Sequence, residues 1–247
     1  METRPFDVPR YLSVLPLFND MNRPELERLA QGCTLRRLVR GDMVFRVGDP
    51  CEAFHVTVVG QVKLFAISPA GQEKVIELIG PGHSFAEALM FTDRPCIVNA
   101  QALTDTLLLT VAKQAVLGEI DRDPRFALRM LAGLSRRLHG LVNDVQAYAL
   151  HNGMQRVIGY LLRDHIADGV VDDDEAGELA AEPPPLPCGS VTVSLPASKA
   201  TIASRLSLTP EYFSRVLHEL EAEGLIEIDK RDIRIPDPTA LARFQPA

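Results

Sequence analysis

The spacing of apolar and polar residues divides the 247-residue chain into three parts. Residues 1–122 carry short apolar runs between glycine turns, residues 123–150 carry one long helical repeat, and residues 151–247 mix short helical and β-rich segments. Apolar runs bounded by turn signals are typical of strands, whereas recurrence about every three or four residues is typical of amphipathic helices. The spacing therefore predicts a β-rich domain, a long helix and a second, mixed domain.

Strand-like runs rich in Val, Ile, Leu and Phe extend from Leu35 to about Val111, and a short helix after Asn22 precedes them. Turn signals interrupt the runs at intervals of roughly 7–12 residues, which is the spacing that an antiparallel roll or barrel produces. These signals are Gly41-Asp42, Gly48-Asp49, Gly60-Gln61, Gly71-Gln72 and Gly80-Pro81-Gly82. The first part is therefore predicted to be a β-roll that encloses a cavity.

A cavity of this kind suits either a cupin-like metalloenzyme or a sensor of a small molecule. The enzyme alternative requires convergent metal ligands such as an H-x-H pair, and neither His55 nor His83 belongs to one. The chain also shows no arrangement of a nucleophile with a neighbouring base. The sequence thus favours a sensor pocket and predicts that the chain is not an enzyme.

The second part carries the most regular helix, with Asp123 as its N-cap and Pro124 at its first position. Its apolar residues recur in alternating steps of four and three, which is the heptad spacing of a coiled-coil seam. We therefore predict that two copies of this helix form a parallel homodimer; the alternative is a lone helix packed on the roll. The seam residues are Ala127, Leu131, Leu134, Leu138, Leu141, Val145 and Tyr148.

The third part opens with a helix over residues 152–166, followed by an acidic, proline-rich segment at 168–189 that predicts a flexible, solvated loop. Its best-marked helix spans Thr209–Glu223, because Thr209 is a good N-cap, Pro210 suits the first position and Gly224 suits the C-terminal cap. Phe213, Val216, Leu217 and Leu220 form its apolar stripe.

A second stripe on this helix contains Glu211, Ser214, Arg215 and His218 and therefore forms one polar face. Arginine can donate two hydrogen bonds to guanine, and glutamate can accept one from cytosine. Glu211 and Arg215 are also expected to pair across one helical turn. The face is thus suited to a DNA major groove, although an exposed amphipathic helix with a surface salt bridge would have the same pattern.

The neighbouring segments favour the DNA-binding alternative. A shorter helix, predicted over Ser198–Leu206, precedes a tight turn at Ser207-Leu208, which is the geometry of a helix-turn-helix. Two β-rich runs, Leu225–Ile228 and Ile233–Ile235, follow and predict a small wing. A last short helix is expected over residues 240–244, with Thr239 as its cap.

Composition limits the class of protein further. A hydrophobic fraction of 46% with 24% charged residues is ordinary for a soluble protein, and no stretch reaches the roughly 20 apolar residues of a membrane span. No signal-peptide pattern is present, so we expect a cytoplasmic protein with no membrane partner. The net charge of −7 is unfavourable for DNA binding. The predicted DNA-binding segment nevertheless contains Lys199, Arg205, Arg215, Lys230, Arg231 and Arg234.

Residues 208–235 resemble the DNA-binding domain of the Crp/Fnr family of bacterial transcription regulators, and Glu211, Ser214 and Arg215 match the Glu-x-x-Ser-Arg motif of its Fnr-like branch. The resemblance implies an α+β fold: a double-stranded β-helix of the cyclic-nucleotide-binding jelly-roll type, a dimerisation helix and a winged helix-turn-helix. It also implies double-stranded DNA as a partner, a TTGAT-N4-ATCAA palindrome as the site, and phosphate contacts from Ser198 and Lys199. As an activator, the protein would contact RNA polymerase.

The segment Gly80–Phe91 is the expected effector pocket, with His83, Phe85, Glu87 and Leu89 as its residues. In relatives that bind cyclic AMP, this segment carries a Gly-Glu pair and a following Arg-Ser or Arg-Thr pair that holds the phosphate. Here Ala86 replaces the glycine, and Cys96-Ile97 replaces the second pair. We therefore expect a small effector other than cyclic AMP.

The pocket segment and the recognition motif are also similar to the nitrate-respiration branch of the family, which senses nitric oxide through haem. Haem requires an axial ligand, and the candidates are His83, His55 and His139. The four cysteines are scattered and none precedes Cys33, so neither a zinc site nor an iron–sulfur cluster is predicted. The alternatives within the family are a cyclic-nucleotide-responsive, an effector-free or a thiol-redox regulator, the last through Cys51 or Cys96.

Overall fold

The computed structural model describes residues 6–15, 17–18, 21–167 and 189–244. Two compact units are present, residues 1–143 and residues 144–247, and the boundary between them falls inside the longest helix. The predicted boundaries, after residues 122 and 150, bracket this point. The predicted flexible loop at 168–189 lies outside the described residues, apart from Gly189.

Two antiparallel sheets form the centre of the first unit. Their strands are β1 (Cys33–Leu38), β2 (Met43–Phe45), β3 (Ala53–Val59), β4 (Val62–Ile67), β5 (Glu73–Ile79), β6 (Ser84–Phe85), β7 (Asn99–Ala102) and β8 (Thr106–Ala112). One sheet has the order β1-β8-β3-β6 and the other the order β2-β7-β4-β5. The predicted roll is therefore confirmed, and most neighbouring strands in it are distant in sequence; β4 and β5 are the exception.

Glycine is required at one of the predicted turns, between β3 and β4. Gly60 has a φ of 91°, and a Cβ there would lie 2.5 Å from the carbonyl oxygen of Asp105. Only glycine combines this left-handed backbone with so close an approach. The turn thus fixes the β3–β4 connection against the loop that precedes β8.

The helices of the first unit are α1 (Val8–Leu12), α2 (Arg23–Gln31), α3 (Glu87–Met90), α4 (Lys113–Arg122) and α5 (Arg125–Leu150), which continues into the second unit. A capping box between Asn22 and Glu25 starts α2. The long helix begins at Arg125, whose backbone N–H donates to the Asp123 carboxylate at 3.0 Å. Asp123 therefore caps α5, as predicted, with the first turn shifted by one residue.

Aromatic stacking packs α5 against the roll. The ring of Phe18 lies 6.2 Å from that of Phe54 on β3 and 6.0 Å from that of Phe126 on α5, and all three side chains are completely buried. Met130, one turn further along α5, belongs to the same apolar cluster. This contact fixes the first turns of α5 on the sheet and leaves its other faces for other contacts.

The second unit is a winged helix-turn-helix. After the last part of α5 it contains α6 (Gly153–Ala167), β9 (Val191–Ser194), α7 (Lys199–Arg205), α8 (Pro210–Ala222), β10 (Glu227–Asp229), β11 (Asp232–Ile235) and α9 (Pro238–Arg243). Its sheet has the order β10-β11-β9, so β9 adds a third strand to the predicted wing. The predicted cap of the last helix is wrong: Asp237, not Thr239, accepts the free backbone N–H groups of α9.

The apolar stripes that predict α7 and α8 form the core of this unit. Ile202 and Ala203 on α7 are completely buried, and so are Phe213 and Leu217 on α8, together with Ile233 on the wing. Burial of one stripe leaves the opposite face of α8 exposed. Among the residues that the structure describes, none of the helices combines the length and apolar character that a membrane span requires.

Candidate functional site

The polar face of α8 is held in place by local capping interactions. The Thr209 hydroxyl accepts the backbone N–H of Tyr212 at 3.2 Å, and Pro210 occupies the first turn. Opposite the buried stripe, Glu211 and Arg215 are exposed and Ser214 is partly buried. The three residues predicted to contact bases therefore occur on one accessible face.

The turn between α7 and α8 is short and fixed at both ends. Ser207 adopts a left-handed φ of 56°, and the Leu208 backbone N–H donates to the carbonyl oxygen of Ala203 at 2.9 Å. Arg156 on α6 donates to the carbonyl oxygen of Leu206 at 2.9 Å, which satisfies an acceptor at the end of α7. The angle between the two helices is thus set by the backbone and by α6.

The predicted pairing of Glu211 with Arg215 is wrong. Within the described residues, Arg215 makes no ion pair; its guanidinium lies over the ring of Tyr212, 4.8 Å from the ring centre. Tyr212 precedes Arg215 by three residues, so the two side chains lie on the same face of the helix. An aromatic residue at this spacing is the signal that would have predicted the contact.

Of the six cationic side chains in the predicted DNA-binding segment, two are paired with carboxylates. Arg205 pairs with Asp144, and Arg234 pairs with Glu227 on the wing. In the described chain, Lys199, Lys230 and Arg231 have no carboxylate partner, and neither does Arg215. Ser198, the predicted phosphate contact beside Lys199, is exposed and also caps α7 by accepting the Thr201 backbone N–H. The helix-turn-helix and the wing thus retain positive charges that can meet phosphates, despite the acidic composition.

A second candidate site is a cavity of about 300 Å³ in the first unit. Its apolar lining comes from the segment before α2, from β3 and from α5. Its polar lining comes from β5, from the turn before β6, from α3 and again from α5. The lining residues are Leu15, Leu17, Phe18, Val56, Glu77, Gly82, His83, Ser84, Glu87, Met130, Gly133, Leu134, Arg136 and Arg137.

Arg137 organises the polar side of this cavity, and nothing in the sequence pattern indicates it. One guanidinium nitrogen donates to Glu87 Oε2 and to the Ser84 carbonyl oxygen, both at 3.1 Å, and the other donates to Glu77 Oε2 at 2.5 Å. Glu87 is buried, so its charge requires such a partner. Arg137 thus joins α5 to three elements of the roll.

Both parts of the chain match known protein families. Residues 35–123 match the model described as a cyclic nucleotide-binding domain, and residues 155–244 match that of a Crp-like helix-turn-helix domain. DNR from Pseudomonas aeruginosa, known from a crystal structure, is 32% identical; the match covers 98% of this chain and 100% of that chain, with a TM-score of 0.50. The chain belongs to the Crp/Fnr family of transcription regulators.

Further relatives agree with this assignment. A cyclic AMP receptor protein from Thermus thermophilus is 27% identical over 227 residues, 92% of this chain and 94% of its own length. FixK2 from Bradyrhizobium japonicum, at 20% identity, shares the fold with a TM-score of 0.71 over 87% of this chain and 98% of its own. Crp/Fnr proteins are DNA-binding regulators, so the predictions of an α+β regulator fold and of a non-enzyme are confirmed.

The predicted effector residues of this Crp/Fnr regulator occur in two different environments. His83 and Glu87 line the cavity. Phe85 is completely buried in the apolar interior of the roll, where it contacts Phe45 and His55, and Leu89 is not part of the lining. Phe85 is therefore a core residue, because its alternation along the short strand β6 directs it away from Ser84 and the cavity.

The three candidate haem ligands are not brought together. His55 is buried between Phe45 and Phe85, and its Nδ1 lies 3.0 Å from the Thr110 hydroxyl. Burial, with a smaller contribution from Arg36, lowers the pKa of His55 to about 4. His139 is exposed on α5 and does not line the cavity. Of the three, only His83 is placed where a ligand in the cavity could reach it.

A haem group fits this cavity in part. Metal-binding histidines usually donate the other ring N–H to a carbonyl or carboxylate, and the Nδ1 of His83 lies 3.1 Å from the carbonyl oxygen of Pro81. Phe18 and Met130 supply apolar walls, and Arg136 supplies a cation for a carboxylate. A volume of about 300 Å³ is at the lower end for ligand pockets. The donor set thus suits a partly enclosed haem with His83 as a ligand.

Ala86 and two cysteines concern the alternatives of a cyclic-nucleotide-responsive and a thiol-redox regulator. Ala86 has a left-handed φ of 72° at the start of α3, a conformation that favours glycine, and Arg94 is exposed. A cyclic phosphate that approached this backbone closely would therefore meet the β-carbon of Ala86. The Cys51 thiol lies 3.6 Å from the carbonyl oxygens of Ala53 and Ala86. Burial raises the pKa of Cys51 and raises that of Cys96 to about 11. Neither is the low-pKa thiol that redox control requires.

Proposed function

We propose that this chain is a homodimeric, Fnr-like transcription activator that binds a TTGAT-N4-ATCAA palindrome and senses nitric oxide through haem. Membership of the Crp/Fnr family supports the general part of this proposal, that the chain is a DNA-binding regulator. The particular target, the effector and the dimer are the parts that need argument. Each rests on a different region of the chain.

The proposed DNA site rests on one observation: Glu211, Ser214 and Arg215 occur together on the accessible face of α8. An arginine can donate two hydrogen bonds to guanine, a glutamate can accept one from cytosine, and a serine can serve a base or a phosphate. These are the partners that a TTGAT half-site and its complement offer. Lys230 and Arg231, in the turn between β10 and β11, are suited to phosphates.

The proposed homodimer rests on the exposed apolar side of α5. Leu131, Leu138 and Val145 are 57%, 61% and 65% exposed, respectively, whereas Phe126 and Met130 are buried against the roll. Unlike Leu134, these seam residues therefore lie away from the packed face, which favours a partner helix over the alternative of a lone helix packed on the roll. A two-fold axis along this seam would repeat the recognition helix, as a palindrome of half-sites about one DNA turn apart requires.

The proposed sensor is the cavity of the first unit. His83 would bind the haem iron, Arg136 would bind a propionate, and Phe18 and Met130 would pack against the porphyrin. Haem, when bound, would supply an iron atom that takes up nitric oxide. The similarity of the pocket segment to the nitrate-respiration branch of the family supports this choice of effector.

Leu134 offers a route from the cavity to the dimer, because it belongs to the seam and also lines the cavity. Arg137, on the same helix, contacts Glu77 and Glu87 at the cavity wall. A ligand that binds one arrangement of these residues more tightly shifts the population of dimers towards that arrangement. The effector would thereby favour the dimer that fits two successive half-sites.

An anaerobic haem titration followed by nitric oxide tests the sensor. We expect one haem per chain, a change in its absorption spectrum on addition of nitric oxide, and loss of tight haem binding in His83→Ala. The matched control is His139→Ala, which removes an exposed imidazole and should bind haem like the wild type. Equal haem binding by both variants would rule out His83 as the ligand.

Binding to the palindrome and to a scrambled duplex, measured in parallel, tests the DNA target separately. We expect tighter binding to the palindrome, and a further gain when haem and nitric oxide are present. If the protein selects the palindrome but its binding does not respond to haem, the proposed DNA target stands and the proposed effector is wrong. If it binds both duplexes equally, the proposed DNA target is wrong.

A further inference from the structure

Tyr212 occupies a position between the proposed base-reading residues and the body of the second unit. Its ring lies under the guanidinium of Arg215, with 4.8 Å between the ring centre and Cζ. The ring is partly buried, while Arg215 is exposed. Tyr212 itself is not among the residues that the Glu-x-x-Ser-Arg motif singles out.

The Cε1–Oη edge of the Tyr212 ring also packs directly against Gly153, the first residue of α6. A Cβ on Gly153 would lie 2.5 Å from Cε1 and 2.8 Å from both Cζ and Oη of the ring. No side chain fits at Gly153 unless the ring moves. The backbone of α6 therefore limits how far the ring can move at this edge.

We infer that Tyr212 is a positioning residue for base recognition: it holds the Arg215 guanidinium ready for guanine, and Gly153 holds Tyr212. The inference rests on the proposed role of Arg215 in reading a base and adds the residues that make this role effective. It assigns no direct base contact to Tyr212.

The chemistry of the contact explains why a ring serves better than a carboxylate. A glutamate paired with Arg215 would occupy the N–H groups that guanine needs, because both partners accept from the same edge of the guanidinium. An aromatic ring binds the flat face of the cation and leaves its N–H edge free. Restricting a long side chain before binding also reduces the entropy lost on contact with DNA.

Selection from a pool of randomised duplexes by the full-length protein tests the inference. Arg215→Ala should remove the preference at one position of each half-site, which identifies the base pair that Arg215 reads. Tyr212→Leu should weaken the preference at that same position by about two- to fivefold, the range expected for an exposed cation–π contact. Tyr212→Phe, which keeps the ring, should restore it.

Substitution of Gly153 provides an independent test of the inference, with a matched control on the same helix. Gly153→Ala forces the ring to move and should weaken the same preference, whereas Gly159→Ala, on the same helix with open space around it, should not. In the double variant Tyr212→Leu/Arg215→Ala, the loss should equal that of Arg215→Ala alone, because the two residues act as one unit.

The outcomes separate this inference from the proposed target. If the wild type selects a sequence other than TTGAT, the target is wrong, but Tyr212 is still judged at the position that Arg215→Ala identifies. If Tyr212→Leu leaves that position unchanged, or weakens all positions equally as a merely structural residue would, the inference is overturned. If Arg215→Ala affects no single position, base reading by Arg215 and the inference both fail.

Discussion

Asp144 and Arg205 form an ion pair that is almost completely buried in the second unit. Arg205 Nη2 and Asp144 Oδ2 are 2.5 Å apart, and the two side chains are only 11% and 9% exposed. Asp144 lies on the last part of α5, and Arg205 ends α7. The pair therefore ties the long helix to the first helix of the helix-turn-helix.

Replacing Asp144 with Asn should destabilise the second unit, because it removes the negative charge that faces the buried guanidinium of Arg205. Removal of one partner from a buried pair costs about 3–5 kcal/mol. Urea unfolding followed by circular dichroism measures this loss. The matched control is Arg234→Ala, since the Arg234–Glu227 pair is more than half exposed and such pairs contribute only about 0–1 kcal/mol. Equal losses in the two variants would contradict the structural role of the buried pair.

Leu138→Lys should convert the dimer to a monomer, because it introduces a charge at the centre of the proposed seam where the wild-type side chain is 61% exposed. Light scattering should then give a mass near 27.2 kDa for the variant and near twice that value for the wild type. Ala132→Lys adds the same charge at an exposed position off the seam and should remain dimeric. A dimeric Leu138→Lys protein would refute the seam.

His55 should make the first unit less stable as the pH falls from about 6.5 to about 4. Burial lowers its pKa from 6.5 in the unfolded chain to about 4 in the folded one, so the unfolded state binds the proton first. The free energy of unfolding should therefore decrease by about 3 kcal/mol over this range. Below pH 4 this group should contribute no further change.

Unfolding of His55→Phe as a function of pH measures this contribution. The variant keeps a ring between Phe45 and Phe85 and removes the titrating group, so much of the acid-induced loss between pH 6.5 and 4 should disappear. His151→Phe, which removes an exposed imidazole, serves as the control. An unchanged pH profile in His55→Phe would mean that other groups cause the loss.

Arg137→Met should destabilise the first unit by about 1–3 kcal/mol, the cost of leaving buried polar groups without a hydrogen-bond partner. The substitution removes the donors for Glu77, Glu87 and the Ser84 carbonyl oxygen. Thermal unfolding measures the loss. Arg136→Met removes the neighbouring, exposed cation and should leave stability nearly unchanged; a comparable loss there would contradict the role of Arg137.

The elements of the second unit were largely predictable from local patterns. Thr209, Pro210 and Gly224 mark both ends of α8 in the sequence, and its apolar stripe is the buried one. The wing was predicted from two runs, but the pairing of β9 with β11 joins strands that are far apart in sequence. A local pattern indicates that a strand exists and does not indicate its partner.

The candidate sites were predicted less completely, because each depends on which of several possible neighbours a side chain contacts. Glu211 and Tyr212 both lie within reach of Arg215, and the sequence alone favoured the carboxylate. Phe85 lies next to a cavity residue, yet strand alternation places it in the core. The cavity itself requires Arg137 to meet Glu77 and Glu87, and no spacing in the sequence predicts this meeting across separate elements.

The close contact of Gly153 with Tyr212 also constrains how the sequence can evolve. A relative with a residue larger than glycine at position 153 must have a side chain smaller than tyrosine at position 212, or a wider gap between α6 and α8. Substitutions at the two positions should therefore be accepted as pairs and in a fixed order, with the ring replaced before the glycine. The range of substitutions open to the recognition helix thus depends on a glycine that belongs to another helix.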